Sequence, residues 1–123
     1  MEKKNVMYLN ARVSMSPYNE KYNMAYMYCY DESKRYCFSL SRFPEGEEIE
    51  VMVLDQVNLK VDDLSVEFDS RQLVVQLEKN VADRLDGHDQ YIIDVVLTED
   101  EDLILRETLY KIFSGKKGLD VKV

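Results

Sequence analysis

The sequence predicts an α+β domain: a mostly antiparallel sheet of six or seven strands, with one C-terminal helix packed on a face and one short extra helical segment. Three observations predict it. Apolar runs of strand length recur through the first hundred residues, the connections between them are short and polar, and one strongly marked helix start stands at Thr98. At 123 residues the chain is read as one domain, residues 1–123.

Val6 to Met15 reads as the first strand, and Ser16 to Asn23, which contains Pro17, as a polar connection. Met24 to Tyr30 and Tyr36 to Phe43 form the clearest hairpin, joined by the polar loop Asp31 to Arg35. Folding that hairpin symmetrically about Ser33 sets Tyr30 opposite Tyr36, Tyr28 opposite Phe38 and Tyr26 opposite Leu40 on one face. The same register sets Cys29 directly across from Cys37. Two cysteines are too few for a disulfide framework, and they are read as reduced, with a single bridge as the alternative.

Ile49 to Leu54 reads as the next strand, followed by a less regular stretch from Val57 to Val61. Leu64 to Phe68 and Leu73 to Leu77 make a second hairpin around the turn Asp69 to Gln72. Asn80 is the expected N-cap of a short helical segment, Val81 to Leu85, which Gly87 ends. Tyr91 to Leu97 is a further strand. Thr98 and Glu101 match the capping box, and Glu99, Asp100, Glu101 and Asp102 fill a first turn where the helix dipole favours negative charge. Leu105, Thr108, Leu109 and Ile112 form the buried stripe of this helix, Gly115 stops it, and Gly118 to Val123 adds a short edge strand.

Charge is segregated along the chain. From Glu45 to Asp102 there are eighteen acidic residues against four basic ones, a net of −14, while each flank carries +3. With 46% hydrophobic and 33% charged residues the chain is a folded protein, so this acidity does not signify disorder. It disfavours nucleic acid as a partner, since phosphates require Lys and Arg, and it favours a basic protein. The longest apolar run, Met24 to Tyr30, is far too short to span a bilayer, and Lys3 and Lys4 are not followed by a signal-peptide core. No membrane association and a cytoplasmic location are expected.

Catalytic signatures are missing from the sequence. The single histidine, His88, lies in Asp86-Gly87-His88-Asp89, which could ligate a metal but reads better as a polar turn between helix and strand. There is no His-Glu-x-x-His, Cys-x-x-Cys, EF-hand loop or glycine-rich phosphate cradle. No catalytic residue, metal or cofactor is expected. Seven of the nine tyrosines fall between Tyr8 and Tyr36, and tyrosine is enriched in interface hot spots. Tyr26, Tyr28 and Tyr30 are read as core beneath the helix, with an interface as the alternative, whereas Tyr18 and Tyr22 are expected to be exposed. The candidate partner-binding residues are Tyr18, Tyr22, Glu45, Glu47, Glu48, Asp55, Asp62 and Asp63.

From Tyr36 onward the order of elements resembles a known family. Tyr36, Leu40 and Arg42 mark a strand leading into the acidic middle, Leu73 to Leu85 (LVVQLEKNVADRL) runs from strand into a short helix, and the strand YIIDVVL precedes a closing helix LRETLYKIFSG. Over about 85 residues this is similar to immunity protein ten, a family of small α+β immunity proteins from bacterial polymorphic toxin systems. The family's Gly-x-Ser motif has no counterpart in this chain, and no residue role is carried over. The resemblance implies a cytoplasmic, non-catalytic inhibitor that binds and blocks a cognate toxin domain. A structural or self-assembling module is the alternative, monomer and homodimer both being open, and a metal-dependent enzyme built on His88 is a third.

Overall fold

The computed structural model describes residues 5–21, 23–44, 46–54 and 57–122. Along the chain come β1 (Val6–Asn19), β2 (Met24–Asp31), β3 (Tyr36–Arg42), β4 (Ile49–Val53), β5 (Val57–Val61), β6 (Ser65–Phe68), β7 (Gln72–Gln76), α1 (Lys79–Asp83), β8 (Gln90–Val95), α2 (Glu99–Ile112) and β9 (Leu119–Val121). These strands form one sheet in the order β5-β4-β3-β2-β1-β8-β7-β6-β9. It curls into a half-barrel whose concave side holds α2.

This corrects the predicted six- or seven-stranded, mostly antiparallel sheet with a helix laid on a face. The described strands number nine and the sheet is mixed, with β1 parallel to β8 and β6 parallel to β9. Short connections identify hairpin neighbours, but they say nothing about strands brought together from distant parts of the chain. β1 stands at the centre of the sheet: Val6 to Ala11 pair with β8, and the stretch from Arg12 onward pairs with β2. It runs through Pro17, where the register with β2 is irregular, a place in which a residue without an N–H is tolerated. Val57 to Val61, expected to be irregular, completes a hairpin with β4 from Ile49↔Val61 to Val53↔Val57.

The β2–β3 hairpin is also one residue out of the predicted register. Asp31 pairs with Tyr36, Tyr30 with Cys37, Cys29 with Phe38 and Met27 with Leu40. Asp31 causes the offset. Its carboxylate accepts hydrogen bonds from the amide of Asn10 (2.8 Å), the hydroxyl of Ser33 (2.8 Å) and the amide of Lys34 (3.0 Å). Asp31 thereby extends β2, and Arg35 closes the turn at φ 52°. A one-residue slip exchanges the two faces of a strand. Ala25, Met27 and Cys29 therefore point inward, and Tyr26, Tyr28 and Tyr30 lie half-buried on the outer face, not in the core beneath α2. Cys29 and Cys37, expected to face each other, occupy opposite faces of the sheet as buried free thiols.

The core lies between the concave face and α2. Met27, Phe38, Leu40, Val51, Phe68, Leu73 and Ile93 are fully buried together with Leu105, Leu109 and Ile112. Each such side chain contributes on the order of 1.5–3 kcal/mol. The helix has the expected start: Thr98 Oγ1 accepts from the Glu101 amide at 3.1 Å, and Glu101 Oε1 accepts from the Thr98 amide at 2.9 Å. At its other end Arg42 donates to the carbonyls of Ile112 (2.9 Å) and Ser114 (2.6 Å), tying α2 to the end of β3. The short helix starts earlier than expected, at Lys79 after Glu78, without a side-chain cap from Asn80.

Candidate binding surface

Antiparallel pairing from β1 to β5 places the β1–β2 turn, the β3–β4 loop and the β5–β6 connection at one end of the sheet. Five of the eight candidate residues are thereby gathered at that end. Tyr18 is 51% exposed, and its hydroxyl donates to Asn23 Oδ1 at 2.6 Å. Glu47 and Glu48 are exposed in the β3–β4 loop, and Asp62 and Asp63 in the β5–β6 connection. Tyr22, Glu45 and Asp55 lie outside the described residues.

Lys116 links two of these loops. Its ammonium donates to the Glu47 carbonyl and lies 3.1 Å from Asp62 Oδ1. The Lys116 side chain is only 10% exposed, against 90% for that of Asp62, so the carboxylate rather than the amine meets solvent. Asp63 has a structural task. Its carboxylate accepts from the amides of Leu64 (2.9 Å), Lys117 (2.9 Å) and Gly118 (3.3 Å). This clasp holds the connection after β5, at one edge of the sheet, to the segment entering β9 at the other. Gly118 is required there, because a Cβ at this position would fall 1.6 Å from the Leu64 carbonyl oxygen. Arg42 is turned inward onto helix carbonyls, and Lys60 and Lys117 stand exposed at the margin.

The acidic centre of the sequence does not form one face. Because Arg42 holds the C-terminus of α2 at this end, Glu99 to Asp102 lie a helix length away, about 20 Å for fourteen residues. Other carboxylates are occupied locally: Asp69 caps its own turn through the amides of Arg71 and Gln72, and Asp89 accepts from the Asn5 amide.

His88 lies in the turn between α1 and β8, as the sequence suggests, but the Asp86 carboxylate beside it is not solvated. The imidazole sits half-buried beside Asp86, Tyr36 and Tyr91. Both tyrosyl hydroxyls donate to the Asp86 carboxylate, that of Tyr91 at 2.9 Å, and the two hydroxyl oxygens lie 2.9 Å apart. His88 Nδ1 is 3.2 Å from Asp86 Oδ1, but the ring is not angled for a hydrogen bond. Burial pushes the Asp86 pKa up, yet the hydroxyl of Tyr36, the imidazole of His88 and the hydroxyl of Tyr91 outweigh it, and the net shift is downward. Burial, followed by the Asp86 bond, drives the Tyr36 phenol well above its usual range, and burial raises Tyr91 as well. Among the described residues no three His, Cys, Asp or Glu side chains converge to hold a metal ion, and Asp89 is drawn away to Asn5. Sequence reasoning missed this cluster because Tyr36 and Asp86 are fifty residues apart and no motif joins them.

No helix among the described residues is long and apolar enough to cross a membrane. Comparison with protein-family models, with curated proteins and with solved structures finds no match for this chain.

Proposed function

We propose that this chain is a non-catalytic binding protein, an immunity-type inhibitor that blocks a basic partner such as a cognate toxin domain. The observation that supports it is the gathering of Tyr18, Glu47, Glu48 and Asp62 at one end of the sheet, although they are spread over more than forty residues of sequence. Exposed carboxylates on loops anchored by Lys116 and by the Asp63 clasp offer a fixed pattern of negative charge. Such a pattern accelerates encounter with a basic surface and selects among partners more than it adds affinity. An exposed tyrosine beside it supplies contact area at small entropic cost.

The test is capture of partners from the source cell's lysate on immobilised protein, washed in steps of rising salt. It is run beside a Glu47→Lys/Glu48→Lys variant and a Glu99→Lys/Asp100→Lys control at the far end of α2. One basic protein released by salt, lost with the first variant and kept with the second, is the expected result. Equal retention by both variants, or release independent of salt, would overturn the assignment of this end.

A further inference from the structure

The outer face of the sheet carries a second, less polar surface that adjoins the acidic end. Cross-strand pairing lays out two rows on it: Ser14–Tyr28–Ser39–Met52 and Ser16–Tyr26–Ser41–Glu50. Large and small side chains alternate from strand to strand. A groove of about 410 Å³ therefore runs along β3, floored by Ser39 and Ser41 and walled by Tyr26 and Tyr28 on β2 and by Met52 and Glu50 on β4. The walls stand two strand spacings apart, about 9.6 Å, which admits one extended side chain or chain segment. A smaller hollow beside it shares Ser41 and Glu50 and is lined by Glu47 and Glu48, so the groove opens onto the acidic end.

The lining specifies the chemistry of an occupant. Tyrosine and serine together give rigid amphipathic contact area and adaptable hydrogen bonding, the combination that binding loops use. Tyrosine rings on one wall and a carboxylate on the other match a planar cation, which can stack on the first and pair with the second. Glu50 Oε1 accepts a hydrogen bond from Asn58 Nδ2 of β5 at 3.2 Å, which holds this oxygen on the β5 side of the wall. Lys60 stands directly opposite Glu50 on β5 and lines the adjoining hollow with it, so an incoming cation shares this carboxylate with Lys60. A lysine ammonium offers no plane to stack and no fork to pair.

We propose that this groove receives an arginine side chain from an extended segment of the partner, its guanidinium lying between Tyr26 and Glu50 above the Ser41 hydroxyl. The proposal rests on the basic-partner reading above and names the side chain that reading would recognise.

The probe is a blocked peptide, acetyl-Gly-Ala-Arg-Ala-Gly-amide, beside its citrulline counterpart of the same shape without charge. Each is titrated into the full isotope-labelled chain while amide NMR shifts are followed. Saturable shifts centred on Ser39, Ser41, Glu50 and Met52 are expected, about tenfold weaker with citrulline, as fits one charge-assisted hydrogen-bonded pair. Binding should weaken about tenfold in Glu50→Gln, as it does with citrulline, and vanish in Met52→Lys, while the thermal transitions of both variants stay near that of the parent. Shifts confined to the Glu47 and Asp62 loops and unaffected by Met52→Lys would overturn the groove while leaving the acidic-end reading intact. A dimer seen by light scattering and abolished by Met52→Lys would give the groove to a second copy of the chain and overturn the proposal. Saturable binding of neither peptide would also overturn it, and the salt-washed capture then judges the basic-partner reading separately.

Discussion

Removing the Asp86 carboxylate tests whether the polar cluster behind β3 is a structural unit. Asp86 accepts hydrogen bonds from Tyr36 and Tyr91, which are 5% and 0% exposed. Hydrogen bonds to a charged acceptor contribute roughly 1.5–3 kcal/mol each, and leaving a buried donor unpaired costs about 1–3 kcal/mol. In Asp86→Ala the two hydroxyls, 2.9 Å apart, still satisfy one another in part, so a single phenolic proton is orphaned. The expected loss is therefore about 2–4 kcal/mol rather than the sum of two bonds. Asp86→Asn keeps one carbonyl acceptor and should lose about half as much. Tyr36→Phe in the Asp86→Ala background should cost clearly less than in the parent, because its best acceptor has already gone. Urea denaturation followed by circular dichroism gives all four corners of this cycle. A loss under about 1 kcal/mol for Asp86→Ala, or strictly additive single effects, would refute the view that these three side chains act together.

The other predictions concern the clasp, the thiols and pH. Gly118→Ala must push the β9 entry away from Leu64 and break the Asp63 bonds, so a loss of about 3 kcal/mol or more is expected from the urea midpoint; a loss below about 1 kcal/mol would show the clasp to be dispensable. Burial, with Cys37 nearby, pushes the Cys29 thiol up to about 12, and both thiols are at most 2% exposed. Neither should react with a thiol reagent until denaturant is added, when both should; prompt labelling of the native chain would contradict this. The pKa of Asp31, held down first by the Asn10 amide, and that of Asp86 lie below their unfolded values. Their contribution is therefore present above about pH 4 and lost as pH falls through the folded values. Tyr36 and Tyr91 are raised, so theirs is present below about pH 10 and lost as pH rises further. A urea midpoint flat across either limit would count against these assignments.

Much of this architecture is legible in local sequence because its causes are local. The capping box at Thr98 and Glu101, the stripe from Leu105 to Ile112 and the stop near Gly115 all act within one helix, and the structure keeps each. The short terminal strand, expected within Gly118 to Val123, is present as β9 (Leu119–Val121), although the partner that holds it, β6, is more than fifty residues away. What failed depends largely on distant partners. The hairpin register goes with Asp31, whose carboxylate is held by Ser33 and Lys34 within the loop and by the Asn10 amide twenty-one residues away, and symmetry about Ser33 ignores all three. The central place of β1 follows from its parallel pairing with β8, more than eighty residues away in the chain. The acidic block is contiguous in sequence yet divided in space, because α2 carries four of its carboxylates away from Glu47 and Asp62.

The one-residue slip at Asp31 also bears on what the tyrosines are for. In the symmetric register Tyr26, Tyr28 and Tyr30 would face α2, and each buried hydroxyl would need a partner or cost about 1–3 kcal/mol. The observed register buries Ala25, Met27 and Cys29 instead, none of which carries an oxygen to satisfy. Core energetics thus favours sending the rings outward, but it does not explain why the outer positions are tyrosines rather than the charged residues that suit a solvent-facing strand. Half-buried rings separated by serines leave part of their area open on this face, which suits a surface that is covered in use. Tyr26→Thr/Tyr28→Thr separates these roles. Threonine keeps the strand propensity, so the double variant should lose less than about 1.5 kcal/mol in urea denaturation. It should at the same time abolish groove binding of the arginine peptide. If the double variant instead unfolds or loses several kcal/mol, the rings support the fold itself, and their place on the outer face says nothing about a partner.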